Sequence, residues 1–392
     1  MSFLCKHKLP GSFHFCGSGR PANAPCGAFE YVRVERPEDL PEPDPRLVDV
    51  AVLDMNHGWP NLGHDCLVLE LLDIACELLP LAEETGIRVR ALSFDVRRCG
   101  MVPELPGGRF ALYVGTGGPG HIDPSENDGV SEFSQGIRED PSWQGPVYRL
   151  FDAILADESA ALLAICHSFG VMCQWSGLAR PVLRGPDKGG KSTGVLENVL
   201  SPEARQHPWF QCFSEELRDR QRLRILDNRL FDLIPEDVDF PEGTTPIGWE
   251  TLGVGGPQGD ALTMLEFARD LDGVMPRVFG VNHHPEILDR ARQLLILEHK
   301  LERGEVTPQW AAERREILTR TYPDERSDDL LQLTSGYTLL GPLRFHLWRQ
   351  VRLRAESLGL AVDLHEDRVA ADGPFAIGVT QPQEVHQEVG VR

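Results

Sequence analysis

Short runs rich in apolar residues divide the chain. They are Leu47–Asp54, Val89–Phe94, Phe110–Val114, Ala161–Ile165 and Arg277–Val281. Apolar residues that do not alternate with polar ones mark strands buried on both faces, as in a parallel sheet. The connecting stretches carry the wider spacing of amphipathic helices. Cys66–Thr85 has Leu67, Leu69, Leu71, Leu72, Ile74, Ala75, Leu78 and Leu79, and Val147–Leu155 and Ile287–Leu301 follow the same rule. Phe169, Val171, Met172 and Trp175 predict a helix directly after the fourth run. Strands alternating with helices in this way predict an α/β fold, a doubly wound parallel sheet. Arg222–Leu226, Ile247–Leu252 and Ala261–Phe267 predict antiparallel strands at its edge.

Residues 1–47, broken by glycines and then by Pro37, Pro41, Pro43 and Pro45, are expected to form an irregular arm. Residues 48–303 form the α/β domain. Residues 304–392 are expected to be a helical C-terminal extension, with helices at Pro308–Thr321 and Leu343–Leu358 and a loose polar tail over Ala370–Arg392. Asn56, His57 and Asn61 lie in a turn-rich loop after the first strand, at the end of the sheet where α/β proteins place ligands, and are candidates to line a site. Gly185–Gly194 contains Gly-Gly-Lys-Ser, but the strand and helix that flank a phosphate-binding loop are missing, and it reads as a flexible basic loop over the site.

The chain has 392 residues and a formal net charge of −21, which argues against nucleic acid or an anionic membrane as partner. No apolar run reaches the ~18 residues of a membrane span, and the first residues lack the apolar core of a signal peptide. Nine cysteines without framework spacing suggest reduced thiols and a cytoplasmic protein. Cys5, His7, His14, Cys16 and Cys26 include no Cys-x-x-Cys pair, so no metal and no other cofactor is expected.

Three stretches carry chemistry. Ala161–Ile165 ends at Cys166, directly before a predicted helix. This is the strand-to-helix elbow that exposes a nucleophile, and helix amides there favour an anion, whether a thiolate or a developing oxyanion. The run ending at Val281 leads into Asn282-His-His-Pro-Glu286, in which Glu286 can orient His284 and stabilise its imidazolium. Phe110–Val114 ends in the glycine-rich turn Gly115-Thr-Gly-Gly-Pro-Gly120. His283 competes with His284 for the role of base and reads as packing.

In this order the three stretches resemble the class I glutamine amidotransferases, with their Gly-Gly-Pro-Gly, Gly-x-Cys-x-Gly-x-Gln and His-Pro-Glu patterns, over about residues 48–300. The resemblance implies a flavodoxin-like fold and a Cys166–His284–Glu286 triad. It also implies an oxyanion hole from the amides of Gly118 and His167, and a substrate site near Gly117, Asn56, His57 and Ser168. The implied activity is cleavage of the side-chain amide of glutamine, or of a related γ-glutamyl amide, through a thioester. Ammonia would pass to a separate synthetase or acceptor subunit. The elbow departs from the pattern: Ser168 stands for a glycine and Gly170 for the substrate-holding glutamine. Two other readings stand beside this one: a deglycase or intracellular-protease-like hydrolase using Cys166 and His167, and a non-catalytic binding subunit.

Overall fold

The computed structural model describes residues 14–16, 20–22, 27–236, 240–287, 290–321 and 325–376. The metal candidates Cys5, His7 and Cys26, and the tail beyond residue 376, lie outside them. One twelve-stranded sheet organises the chain. Its strands are β1 (Phe29–Val34), β2 (Leu47–Asp54), β3 (Arg88–Asp95), β4 (Leu112–Gly115), β5 (Ala161–Ile165) and β6 (Ala179–Leu183), then β7 (Ser192–Leu200), β8 (Arg222–Arg229), β9 (Phe231–Pro235), β10 (Thr245–Thr251), β11 (Gln258–Arg269) and β12 (Pro276–Val281). Six neighbours, β12-β5-β4-β2-β3-β1, run parallel. β11, β10, β7 and β8 extend the sheet antiparallel beyond β12, and β6 and β9 pair beside it. From β2 the chain steps to β3 on one side and to β4 on the other. This is the strand-order reversal of flavodoxin-like sheets, and a crevice opens at its carboxyl ends.

The apolar runs are buried on both faces because alternate residues enter two separate cores. Val50, Val52, Val114 and Leu163 face a cluster completed by helix α1 (Gly63–Glu77). Ala51, Leu53, Tyr113 and Leu162 face one completed by α2 (Gln144–Ala156) and α3 (His167–Ser176). α1 ends at Glu77, and a second helix, Leu79–Thr85, restarts with Pro80 in its first turn, because proline cannot donate within a helix.

Two expectations change. The arm over residues 1–47 is not wholly irregular: Phe29–Val34 is an edge strand pairing in parallel with β3. Its Phe-Glu-Tyr-Val-Arg-Val composition suits a pleated, half-buried surface. The last segment, in turn, is not an appendage. α6 (Gly341–Ser357) packs on β2, β4, β5 and β12, and Leu343, Leu347, Trp348 and Val351 belong to the same core as Val50 and α1. Before it come α4 (Arg290–Glu302) and α5 (Pro308–Thr321), and α5 lies against β7. Among the described residues no helix is long and apolar enough to cross a membrane.

Two buried histidines give the fold an acid-side weakness. His346 donates from Nε2 to the Pro276 carbonyl at 2.8 Å, yet burial pushes its pKa down to about 4. Burial, with the charges of His284 and Arg229, pushes His283 down to about 3. The unfolded chain protonates these rings below about 6.5 and the folded chain does not, so stability is full above that pH and falls as pH drops toward 4. Each ring costs about 2 kcal/mol at pH 5. His346→Gln, which keeps a donor for Pro276, is expected to narrow the stability gap between pH 7 and pH 5 by about that amount in urea titrations. An unchanged gap would refute this assignment.

Candidate active site

β5, fully buried, delivers the chain to Cys166 at the carboxyl edge of the sheet. Cys166 has φ 48° and ψ −101° and stands immediately before α3. A side chain in that region costs on the order of 1–3 kcal/mol and persists only where its surroundings hold it. The holding bonds are local: the Cys166 amide donates to the Val281 carbonyl at 2.7 Å, and the Cys166 carbonyl accepts from the Gly170 amide at 2.9 Å. Because Val281 ends β12, the same bond ties the elbow to the strand that leads to His284.

His284 and Glu286 are buried, and His284 Nδ1 lies 2.8 Å from Glu286 Oε1. The other side of the ring meets Cys166 above Gly117. A Cβ on Gly117 would stand 2.8 Å from His284 Cε1 and 3.5 Å from Cys166 Cβ, so only glycine leaves both side chains their positions. His284 Nε2 couples electrostatically to the Cys166 sulfur without meeting hydrogen-bond geometry. Burial opposes a charge on the ring, but Glu286 and then Cys166 outweigh it and raise the His284 pKa well above the usual histidine value.

The glycine turn after β4 is held from behind. Thr116 Oγ1 donates to the Gly117 carbonyl at 2.9 Å. In a trans peptide this turns the Gly118 N–H the opposite way. Arg97 donates to the Met55 and Pro119 carbonyls at 2.8 and 2.7 Å, while its other nitrogens hold Glu139 at 2.7 Å each. Among the described residues, the Gly118 and His167 amides donate to no backbone carbonyl. The His167 ring is buried and neutral: burial and the Arg97 charge push its pKa well down, against a hydrogen bond to the Gly118 backbone.

A cavity of about 240 Å³ opens over these groups, with Gly118, Cys166, His167 and His284 in its wall. Asn61, a candidate from the loop after the first strand, also lines it, whereas Gly117, Asn56, His57 and Ser168 do not. The Ser168 hydroxyl is buried and donates to the Thr116 carbonyl at 2.6 Å. Asn56 is buried, donating to Asp54 at 2.6 Å and accepting from Asn61 Nδ2 at 2.5 Å. His57 sits in the adjoining turn at φ 53°. Gly170 turns toward the side chain of Ile122, whose Cδ1 lies 2.3 Å from where a Cβ would be. Where the resemblance implies a carboxamide, this cavity therefore has an apolar wall. Lys191, from the basic loop, lines the cavity with Trp59. So do Trp310 and Arg314 of α5 and Asp227 of β8, none of them legible as site residues in the sequence. After Gly190 comes strand β7, not a helix, so the basic loop lacks the architecture of a phosphate-binding loop.

No protein-family model matches the chain, and none of the curated proteins matches it in sequence. Solved structures do. One is described as a "putative gmp synthase subunit a protein" from Thermoplasma acidophilum, 15% identical, with a TM-score of 0.34, covering 69% of this chain and 96% of its own. Another, SMU.1228c, is 14% identical with a TM-score of 0.39, covering 74% of this chain and 99% of its own.

Proposed function

We propose that the chain is a cysteine-dependent amide hydrolase of the glutamine amidotransferase type. The observation that carries this reading is the approach of His284, oriented by Glu286 at 2.8 Å, to Cys166 at a strained elbow. The Cys166 thiolate attacks the carbon of a side-chain carboxamide. The oxyanion that forms accepts hydrogen bonds from the Gly118 and His167 amides. The C–N bond breaks as the His284 imidazolium gives its proton to the leaving nitrogen, and ammonia departs, leaving a thioester on Cys166. Water then attacks the thioester, His284 takes its proton, and the carboxylate product and thiolate are released. Glu286 keeps the ring in the tautomer both steps require. Ammonia passes to an acceptor site elsewhere, because the residues described after 303 build helices on this core and sheet. Burial and the Arg97 charge, which disfavour a proton on the His167 ring, favour His284 over His167 as base.

Mass spectrometry of the chain mixed with γ-glutamyl amides tests the reading: an acyl adduct on the Cys166 peptide, removed by hydroxylamine, is expected. No adduct, and no ammonia release with any γ-glutamyl amide, would end it. Gly117→Ala provides a geometric check. Its Cβ displaces His284, and a misplacement on the order of 1 Å costs roughly a hundredfold in turnover. Turnover equal to that of the unsubstituted chain would mean that His284 does not act from this position.

A further inference from the structure

The cavity mouth carries two cations that the proposed chemistry does not use. Lys191 comes from the loop before β7, and Arg314 from α5, which lies across β7. Several buried arginines are matched by carboxylates: Arg97 with Glu139, Arg90 with Asp49, Arg229 with Glu250, Arg292 with Glu70. Among the described residues neither Lys191 nor Arg314 forms an ion pair, in a chain with a net charge of −21. The Arg314 guanidinium lies 5.1 Å from the Trp310 ring centroid, which holds it at the wall. Lys191 is exposed at the rim, and partial loss of water around its amine, with the charge of Arg314, pushes its pKa down, while Cys166 and Asp227 act the other way. Asp227, a carboxylate on the same wall, is engaged through one oxygen: Oδ2 accepts from Ser192 Oγ at 2.7 Å and lies 3.3 Å from Arg229, while Oδ1 meets no donor among the described residues.

We propose that Lys191 and Arg314 form an anion subsite at the cavity mouth that takes a carboxylate borne by the substrate at the end remote from its scissile amide. The amide at the other end of that ligand rests on the hydrolase reading above; the subsite does not. Two cations on one cavity wall, neither held in an ion pair, repel each other, and a bound carboxylate offsets that repulsion while accepting a hydrogen bond from each. The apolar wall at Ile122, which packs over Gly170, provides no such contact, so recognition of the substrate's charge moves to the mouth. The volume of about 240 Å³ lies just below that of pockets for drug-sized ligands, and suits a small linear amide acid.

The test uses the full chain carrying Cys166→Ala, which turns nothing over. It is titrated calorimetrically with glutaramate, a carboxamide and a carboxylate on one short chain, and with glutaramide, the neutral diamide. Glutaramate is expected to bind about tenfold tighter or more, the scale of a hydrogen bond to a charged group. Lys191→Ala with Arg314→Ala should bring the two ligands to equal affinity, and Arg314→Lys should retain part of the difference. Unchanged melting temperatures confirm that the variants fold. Equal affinities in the starting chain, a preference that survives the double substitution, or no binding of either compound overturns the subsite. Failure of the hydrolase reading looks different: glutarate, which has no amide, binds with the same dependence on Lys191 and Arg314, while the unsubstituted chain forms no adduct on Cys166.

Discussion

Cys166→Ser is expected to abolish amide cleavage while leaving the fold intact. Serine differs from cysteine by one atom, so the elbow keeps its bonds to Val281 and Gly170. An alcohol at neutral pH is a far poorer nucleophile than a thiolate. Residual rate should come only from binding and the oxyanion amides, a loss of roughly three orders of magnitude or more. Ammonia release assayed beside the melting temperature separates the two effects. Turnover within tenfold of the unsubstituted chain would remove Cys166 from the chemistry.

His284→Ala should cost a similar factor, because one ring supplies the acid for the leaving ammonia and the base for water. His167→Ala should cost much less. The reverse ranking would move the chemistry to the Cys166–His167 pair. Glu286→Gln isolates the electrostatics. Glu286 is the largest influence raising the His284 pKa, against the opposing effect of burial. The imidazolium therefore persists well above pH 6.5, and activity is expected to fall only when the pH climbs through the raised value. In the glutamine variant this alkaline limb should move down toward 6.5. The stability linked to His284 has the same sign: it is fully present below the unfolded value and is lost as pH rises through the folded one. An alkaline limb that does not move would show that Glu286 does not set the charge of His284.

The sequence by itself determined the elements made from local pattern. Val50 to Leu53 and Ala161 to Ile165 read as doubly buried strands because the two cores take apolar residues at alternate positions. Cys166 was legible because a strand-to-helix turn leaves one side chain above the sheet edge, and Pro285 marked His284 and Glu286 as a fixed pair. What lies between distant segments was not legible. Phe29–Val34 becomes a strand only because β3 offers it an edge, and α6 enters the core because α1 leaves part of one face uncovered. Ser168 and Asn56 looked like ligands for a substrate, yet their polar groups are spent on Thr116, Asp54 and Asn61 within the fold. Lys191 and Arg314 show the converse. The basic loop placed Lys191 over the site, but Arg314 is an ordinary helix cation in the sequence, more than a hundred residues away, and only the packing of α5 on β7 brings both charges to one cavity with Cys166. Pairing, burial and the meeting of like charges depend on contacts between remote segments, which local periodicity does not encode.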